Sequence, residues 1–192
     1  MKKILIGTHN SGKFKEISYL LSKKIEKFSP IKLKIKSPKE TGKTFSSNAQ
    51  LKAKYFSKFT NMPVISDDSG ICIKVLGNQP GIYSARWAKR HGSFSNAMKF
   101  ILKKMKNKKD RSAIFVCSLS LKYPGKKIIT VVGKIKGKIS YKIRGLRGFG
   151  YDPIFIPYSE KYTFGEIPKF KKINMDHRYL AFKKLKKKIK IL

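Results

Sequence analysis

The sequence has few acidic residues, few cysteines and no long apolar run. Ten Asp and Glu residues stand against 46 Lys and Arg residues in a chain of 192, so the formal net charge is +36. The longest nearly apolar run, residues 113–121, has nine residues including two serines, whereas a membrane-spanning helix needs roughly 18. The apolar residues after Lys2-Lys3 stop at Thr8, too soon for a signal peptide. We therefore expect a cytoplasmic protein that neither spans a membrane nor is exported.

The two cysteines, Cys72 and Cys117, lie in separate apolar segments and lack metal-ligand spacing. This favours reduced, buried thiols and argues against a disulfide scaffold or a zinc module. Hydrophobic residues make up 41% of the chain and aromatic residues 12%, which is enough to build a core. Because no repeat, linker or change in composition divides the chain, residues 1–192 are predicted to form one domain.

The basic charge suggests a nucleic-acid partner, but its distribution argues against a specific one. Only six of the 46 basic residues are arginine, whose planar fork is the better reader of phosphates and base edges. The lysines are spread along the chain and form no separate basic tail. We expect nucleic acid to bind only non-specifically through charge, and in a salt-sensitive manner.

Apolar periodicity predicts alternating strands and helices. Strands are predicted at residues 3–7, 31–35, 64–65 and 71–75, and a hairpin is predicted to join residues 112–121 to residues 127–136 through Tyr123-Pro124-Gly125. Helices are predicted over residues 14–28, from a cap at Thr44 to Phe56, over 95–105 and over 177–192. This order predicts an α/β fold whose sheet contains both parallel and antiparallel pairs.

A glycine-rich connection joins the first predicted strand to the first helix. It reads Gly7-Thr8-His9-Asn10-Ser11-Gly12-Lys13, and free backbone N–H groups at the start of a helix attract phosphate. The spacing approaches a P-loop, but Phe14 stands where that motif has the hydroxyl that binds magnesium. An anion site is predicted here, with a simple turn at the end of the strand as the alternative.

Two of the ten acidic residues are adjacent, in Asp67-Asp68-Ser69-Gly70. The segment is predicted to turn after a short strand, and in an extended stretch only one of the two carboxylates would reach a shared site. Glu40, just before the second helix, offers a carboxylate that can join one of them around Mg²⁺, which takes one or two carboxylates together with phosphate oxygens. The alternative is an ordinary Asp-Gly turn.

The segment Arg147-Gly148-Phe149-Gly150-Tyr151-Asp152-Pro153 places an aromatic ring between glycines. Such a ring can lie against a planar ligand while Asp152 accepts a hydrogen bond from a ring N–H, and a tight turn packed around aromatic side chains is the alternative. His177-Arg178 supplies donors for carbonyl or phosphate oxygens. No nucleophile with a nearby base is visible, so covalent catalysis has no support.

Together these segments resemble the inosine triphosphate pyrophosphatase family over nearly the whole chain. Six ordered markers carry the resemblance: Thr8-x-Asn10-x-x-Lys13 with Glu16, Glu40-x-Gly42-x-Thr44-Phe45-x-x-Asn48-Ala49, Asp67-Asp68-Ser69-Gly70, Pro80-Gly81-Ile82-Tyr83-Ser84-Ala85-Arg86, Gly148-Phe149-Gly150-Tyr151-Asp152-Pro153 and His177-Arg178. The resemblance implies an elongated mixed β-sheet flanked by helices, two lobes with the active-site cleft between them, and a homodimer. It also implies Mg²⁺-dependent hydrolysis of ITP, dITP and XTP to the monophosphate and pyrophosphate, which keeps these nucleotides out of DNA and RNA.

The resemblance also implies roles for individual residues. Asp68 would be the catalytic residue that activates water, and Glu40 and Asp68 would bind the metal. The triphosphate would be held by Thr8, His9, Asn10, Ser11, Gly12 and Lys13. Contacts to the rest of the substrate would come from Ser69, Phe149, Gly150, Tyr151, Asp152, Lys172, His177 and Arg178. Donors in this pocket would disfavour ATP, because adenine has an amino group where hypoxanthine and xanthine have a carbonyl.

Three places depart from the pattern of that family. Asp176 stands where serine is usual, Arg147 stands where glycine is usual, and Lys89-Arg90-His91 lies in a region that is commonly acidic. Asp176 puts a carboxylate beside the pocket, where it can alter base preference or pair with Arg178. Two other functions stay open: a P-loop-like ATPase or kinase that uses Lys13 with one of the aspartates, and a basic nucleic-acid-binding protein.

Overall fold

The chain forms a mixed β-sheet with flanking helices. The structure, a computed structural model, describes residues 2–189. Within them the strands are β1 (Lys3–Ile6), β2 (Glu26–Phe28), β3 (Val64–Ile73), β4 (Gln79–Pro80), β5 (Ser112–Lys122), β6 (Ile129–Ile139) and β7 (Phe155–Pro157). The α-helices are α1 (Ser11–Leu20), α2 (Phe45–Phe56), α3 (Ser84–Arg90), α4 (Phe94–Lys104), α5 (Lys169–Ile173) and α6 (His177–Lys188).

The strand order is β2-β1-β3-β5-β6-β7, and β4 pairs with β3. Strand β1 is parallel to β2 and to β3, with Leu5 opposite Val64. Strand β4 is antiparallel to β3, and β7 is antiparallel to β6. The predicted α/β class with a mixed sheet is therefore confirmed. No described helix is long and apolar enough to cross a membrane.

Two compact units make up the chain. The first unit contains Met1–Asp68, Cys117–Gly133 and His177–Leu192, and the second contains Ser69–Val116 and Lys134–Asp176. The boundary passes through β3, β5 and β6. The single enzyme domain over residues 1–192 and the cleft between two lobes both stay predictions.

Each unit has its own apolar core. In the first, Ile4 and Ile6 of β1 pack with Ile17 of α1 and with Ala181 and Leu185 of α6, and all five are completely buried. Burial of such side chains contributes about 1.5–3 kcal/mol for each large aliphatic group.

The core of the second unit is centred on aromatic rings. The Phe115 and Phe155 rings lie edge to face with centroids 4.6 Å apart. Phe164 packs against both rings. Ile71 of β3 and Ile101 of α4 complete the same cluster.

Elements with strong local signals form where they were predicted. Thr44 caps α2, because its side chain accepts a hydrogen bond from the backbone N–H of Ser47. The predicted hairpin is formed by β5 and β6 around Tyr123-Pro124-Gly125. The last helix begins at His177 as predicted, while the predicted inward position of Leu192 lies outside the described residues.

Two predictions about the first 40 residues are wrong. The helix predicted over residues 14–28 ends at Leu20, because Leu21 turns to extended backbone and leads the chain into β2. The strand predicted over residues 31–35 is a turn in which Lys34 has φ of 54°. Leu33 and Ile35 still pack beside Phe56. The apolar spacing therefore identified residues that contact the core, although these residues do not form a regular strand.

Two further boundaries differ from the predictions. Asp67 to Gly70 do not turn between two short strands, because β3 runs unbroken from Val64 to Ile73. Strand β3 lies between β1 and β5 in the sheet, and pairing within a sheet satisfies backbone groups, so the Asp-rich segment has no need to turn. Helix α4 begins at Phe94, one residue before the prediction, because Ser93 caps it.

Candidate active site

The connection between β1 and α1 is shaped by a glycine and a cap. A Cβ on Gly7 would collide with the Ser66 hydroxyl and the Phe56 ring, so only glycine lets β1 end this close to β3. The side chain of Asn10 accepts a hydrogen bond from the Lys13 backbone N–H, 2.9 Å away, and so caps α1. Thr8 is buried, and the predicted anion-binding segment runs from the end of β1 through the Asn10 cap into the first turn of α1.

Asp67 on β3 holds two cations of the first unit. Its Oδ2 lies 3.3 Å from the Lys13 ammonium and 3.3 Å from the Arg178 guanidinium. Burial by itself raises the pKa of Asp67, but the positive charges of Lys13, Arg178 and Lys52 outweigh it and hold the pKa well below its ordinary value. This carboxylate stays ionised and fixes the Lys13 side chain at the start of α1.

Asp68 is buried beside Asp67 but meets different neighbours. Its Oδ2 accepts a hydrogen bond from the Asn48 amide of α2 at 3.0 Å. Burial raises the pKa of Asp68 above its ordinary value; Lys13 and Lys52 oppose that shift, and the negative charge of Glu40 adds to it. The two side chains of adjacent strand residues thus have separate partners, as their alternation predicts.

Lys52 of α2 is a residue of this cluster to which the sequence prediction gave no role. Its ammonium lies 2.6 Å from Glu40 Oε1, and the side chain is buried. Burial lowers the pKa of Lys52, but Asp67, Asp68 and Glu40 outweigh it and raise the pKa above its ordinary value. The sequence did contain a signal, since Asn48 and Lys52 stand four residues apart beside the apolar face of α2.

The start of α6 brings a buried arginine to the same unit. Arg178 is 1% exposed, and its guanidinium contacts the carboxylates of Glu16 and Asp67. His177 is buried beside it. Most of the acids and cations of the first unit's cluster therefore come from elements far apart in sequence.

The aromatic segment of the second unit is organised by Asp152. Its Oδ2 accepts a hydrogen bond from the Phe149 backbone N–H at 2.8 Å and lies 2.8 Å from the Lys172 ammonium. The Lys172 ammonium also lies 4.9 Å from the centre of the Phe149 ring. Gly148 has φ of 77°, and a Cβ there would collide with the Asp152 carboxylate. Asp152 is thus held inside the turn by protein partners.

The remaining predicted contacts of the second unit are placed as follows. Tyr151 is buried, its hydroxyl donates to the Ser84 carbonyl at 2.9 Å, and burial raises the pKa of that phenol. Gly150 has φ of 67°. Ser69 is half-buried on β3.

His9, in the first unit, is exposed and contacts the Ile35 carbonyl through Nε2 at 3.0 Å.

Comparison with known proteins identifies the family. The Ham1 family model matches residues 4–188. The chain belongs to the Ham1 family. It is 40% identical over 186 residues to a dITP/XTP pyrophosphatase of Caulobacter vibrioides, covering 96% of both chains. It is 42% identical to a dITP/XTP pyrophosphatase of Oceanobacillus iheyensis, covering 97% of this chain and 98% of that one.

A solved Ham1 structure shows the same fold. The Staphylococcus aureus Ham1 protein superposes with a TM-score of 0.87 at 33% identity, and the match covers 98% of each chain. The resemblance found in the sequence and the mixed sheet flanked by helices are thereby confirmed.

Two of the three departures have structural explanations within this Ham1 chain. Arg147 is exposed and donates to the Glu166 carbonyl at 2.6 Å. Asp176 is completely buried, with its Oδ2 3.9 Å from the Lys172 ammonium. Lys89 and Arg90 are exposed at the end of α3. Asp176 therefore joins Asp152 in surrounding one lysine with two carboxylates.

Glu40 and Asp68 fit a divalent cation that is shared with a substrate. Among residues 2–189, no group of three or more His, Cys, Asp and Glu residues is arranged to hold a metal. Burial raises the pKa of Asp68, and the negative charge of Glu40 adds to that shift. Two carboxylates that leave the remaining positions to phosphate oxygens and water match the preference of Mg²⁺.

Proposed function

We propose that this chain hydrolyses deaminated purine nucleoside triphosphates, namely ITP, dITP and XTP, to the monophosphate and pyrophosphate, with Mg²⁺ as its metal. Water would cleave the phosphoanhydride bond between the α and β phosphates, and one water is consumed for each monophosphate and pyrophosphate formed. Removing these nucleotides would keep deaminated bases out of DNA and RNA. The names of the Ham1 relatives support the substrate class.

The observation that carries the proposal is the environment of Asp68. This carboxylate is buried, is oriented by Asn48 and has a raised pKa. A base is most effective when its pKa approaches the working pH, so such a shift favours proton transfer from water. Asp68 would accept that proton as the water attacks phosphorus. Asp67 is unsuited to this role, because Lys13 and Arg178 hold its pKa low.

The triphosphate would be held by the residues around the start of α1. Lys13 stands in the first turn of the helix, where backbone N–H groups and the helix dipole also attract anions. Lys52 supplies a second, buried ammonium. We propose that Thr8, His9, Asn10, Ser11 and Gly12 contribute the remaining contacts of this anion site.

Glu40 and Asp68 would hold the Mg²⁺. When bound, the metal would neutralise charge on the phosphate oxygens and lower the pKa of a bound water. The salt bridge between Glu40 and Lys52 fixes the position of the Glu40 carboxylate.

The base would be recognised by donors. Lys172, His177 and Arg178 can donate to a carbonyl on the purine ring, and the ring of Phe149 can stack on the base. An adenine base would leave such donors without an acceptor, which can cost a factor of about 10⁴ in discrimination. Ser69, Gly150, Tyr151 and Asp152 would complete the substrate site. We further propose a cytoplasmic homodimer.

The test is product analysis with the purified full-length protein and Mg²⁺. ITP, dITP and XTP should each give the monophosphate and pyrophosphate, and ATP and GTP should give little product. Release of phosphate from ATP would replace the proposal with an ATPase function. Turnover of none of the five nucleotides would contradict it. Sedimentation velocity tests the homodimer separately.

A further inference from the structure

A basic groove lies in the second unit, apart from every residue of the proposed active site. Its volume is about 870 Å³, within the range of roughly 300–1,000 Å³ that is usual for ligand sites. Residues at the beginning of β5, at the end of β6 and around residues 156–161 line it. The groove has six basic residues and two tyrosines: Lys109, Arg111, Lys138, Lys142, Arg144 and Lys161, with Tyr141 and Tyr158.

Tyr141 is held as an exposed aromatic platform. Its side chain is 81% exposed, and the Arg111 guanidinium lies 4.2 Å from the centre of its ring. Arg111 is itself fixed by hydrogen bonds to the carbonyls of Met105, Ile139 and Ser140. One face of the ring rests on a fixed cation, and the high exposure leaves the other face open to a planar partner.

Tyr158 gives the groove a second exposed ring. It is 60% exposed, and its hydroxyl contacts the Ser112 hydroxyl at 3.2 Å. A tyrosine held at its hydroxyl loses less entropy on stacking than a freely rotating one. Two such rings in one groove are suited to more than one stacked base.

The charge of the groove is not balanced by its own acids. Asp110 pairs with Lys74 at 3.4 Å, and Glu160 pairs with Lys171 at 2.7 Å, and neither of these lysines lines the groove. Lys109, Lys138, Lys142 and Lys161 are exposed, and in the described part of the chain none of them forms an ion pair with a carboxylate. The groove therefore offers four uncompensated ammonium groups to an anion.

We propose that this groove binds single-stranded nucleic acid. Stacking on exposed aromatic rings beside a cationic track is the chemistry that holds unpaired strands without sequence preference. A duplex would offer its phosphates but not the faces of its bases.

The test is fluorescence anisotropy of a labelled oligothymidylate of about 12 nucleotides with the full-length protein. Tyr141→Ala removes a ring without changing charge, and we expect it to weaken binding by roughly tenfold with an unchanged salt dependence. Tyr141→Phe keeps the ring and should bind normally. Tyr19→Ala is the matched control, since Tyr19 is 58% exposed and lies outside the groove.

Paired lysine variants separate the groove from the general charge of the surface. Lys138→Gln/Lys142→Gln should reduce the slope of log affinity against log salt by about 1.4, since each lost phosphate contact contributes about 0.7 for a single strand. Lys23→Gln/Lys24→Gln removes the same charge elsewhere and should change the slope less.

Two results with the variants would overturn the proposal: no weakening of binding by Tyr141→Ala, or a weakening by Tyr19→Ala as large as that by Tyr141→Ala. Two results with other ligands would also overturn it: an affinity for duplex DNA equal to that for the oligothymidylate, or a mononucleotide that competes for the protein as well as the unlabelled oligothymidylate does. Circular dichroism and nucleotide hydrolysis of each variant check that folding is retained, because none of these residues belongs to the proposed active site.

Discussion

Two charged clusters lie side by side in the first unit, and they treat adjacent carboxylates in opposite ways. Asp67 is surrounded by cations, chiefly Lys13 and Arg178, and its pKa is lowered. Burial raises the pKa of Asp68, and the negative charge of a second carboxylate, Glu40, adds to that shift, while the hydrogen bond from the Asn48 amide opposes it. Burial opposes ionisation in both, so the difference comes from the neighbours. One aspartate is held ionised by its neighbours, and the other is the residue that we propose takes a proton from water.

The largest predicted effect is on catalysis, at the cluster around Asp68. Asp68→Asn keeps the shape of the side chain and can still accept from Asn48, but it cannot take a proton from water. We expect kcat to fall by about 10²–10⁴-fold, while nucleotide binding is largely retained. Single-turnover kinetics with ITP and calorimetric titration of the nucleotide measure the two quantities. Full activity of this variant would rule out Asp68 as the base.

The next largest predicted effect is on the stability of the fold, at the cluster around Asp67. Asp67→Asn leaves the buried Arg178 and the Lys13 ammonium without this negative charge, so we expect the free energy of unfolding to fall by about 3 kcal/mol. Urea unfolding measures it. Glu26→Gln breaks the exposed pair with Lys3 and should cost less than about 1 kcal/mol. Equal losses from these two variants would contradict the anchoring role of Asp67.

The pH dependence of stability should differ in sign between the two aspartates. The folded-state pKa of Asp67 is lowered, so its ionisation stabilises the fold above the ordinary value of 3.8, and this contribution is lost as pH falls below that value. The folded-state pKa of Asp68 is raised, so its ionisation destabilises the fold at neutral pH, and the penalty disappears as pH falls toward 3.8.

Unfolding of wild type and both variants in EDTA between roughly pH 3 and 7 separates these two terms. The advantage of wild type over Asp67→Asn should shrink on acidification. Asp68→Asn should be at least as stable as wild type at neutral pH. If both variants had the same pH profile relative to wild type, the contrast between the clusters would be wrong.

The smallest effect is expected in the second unit, where Lys172 lies between two carboxylates. Asp176→Asn removes the more distant charge, at 3.9 Å, and leaves Asp152 at 2.8 Å. We therefore expect the free energy of unfolding to change by only about 1 kcal/mol, because the lysine keeps its closer partner. A loss as large as that of Asp67→Asn would show that Asp176 is itself an anchor.

Much of the fold could be predicted because its signals are local. The Thr44 cap, the hairpin turn at Tyr123-Pro124-Gly125 and the start of α6 depend on residues within a few positions of each other. The predictions failed where pairing with distant strands decided the outcome. Strand β3 continues through Asp67 and Asp68 because it pairs along the sheet, and residues 31–35 turn although their apolar alternation favours a strand.

Motifs predicted the individual residues of the candidate site, but they did not predict which of these residues form ion pairs with each other. Lys52 received no role because its partners, Glu40 and the two aspartates, lie 12 or more positions away in the chain. Arg178 was predicted as a donor to the substrate, and the structure adds its contacts with Glu16 and Asp67.

The sequence by itself determined the family, the mixed α/β class and the segments that we propose as the active site, because residue types at short spacing encode turns, caps and helix starts. Only the tertiary structure decided which of the two adjacent aspartates is held ionised and which has a raised pKa. That difference depends on charged side chains that α1, α2 and α6 place beside them. It also decided that Tyr141 rests on Arg111, a contact between residues 30 positions apart. Electrostatic neighbours are set by folding, and a linear spacing cannot contain them.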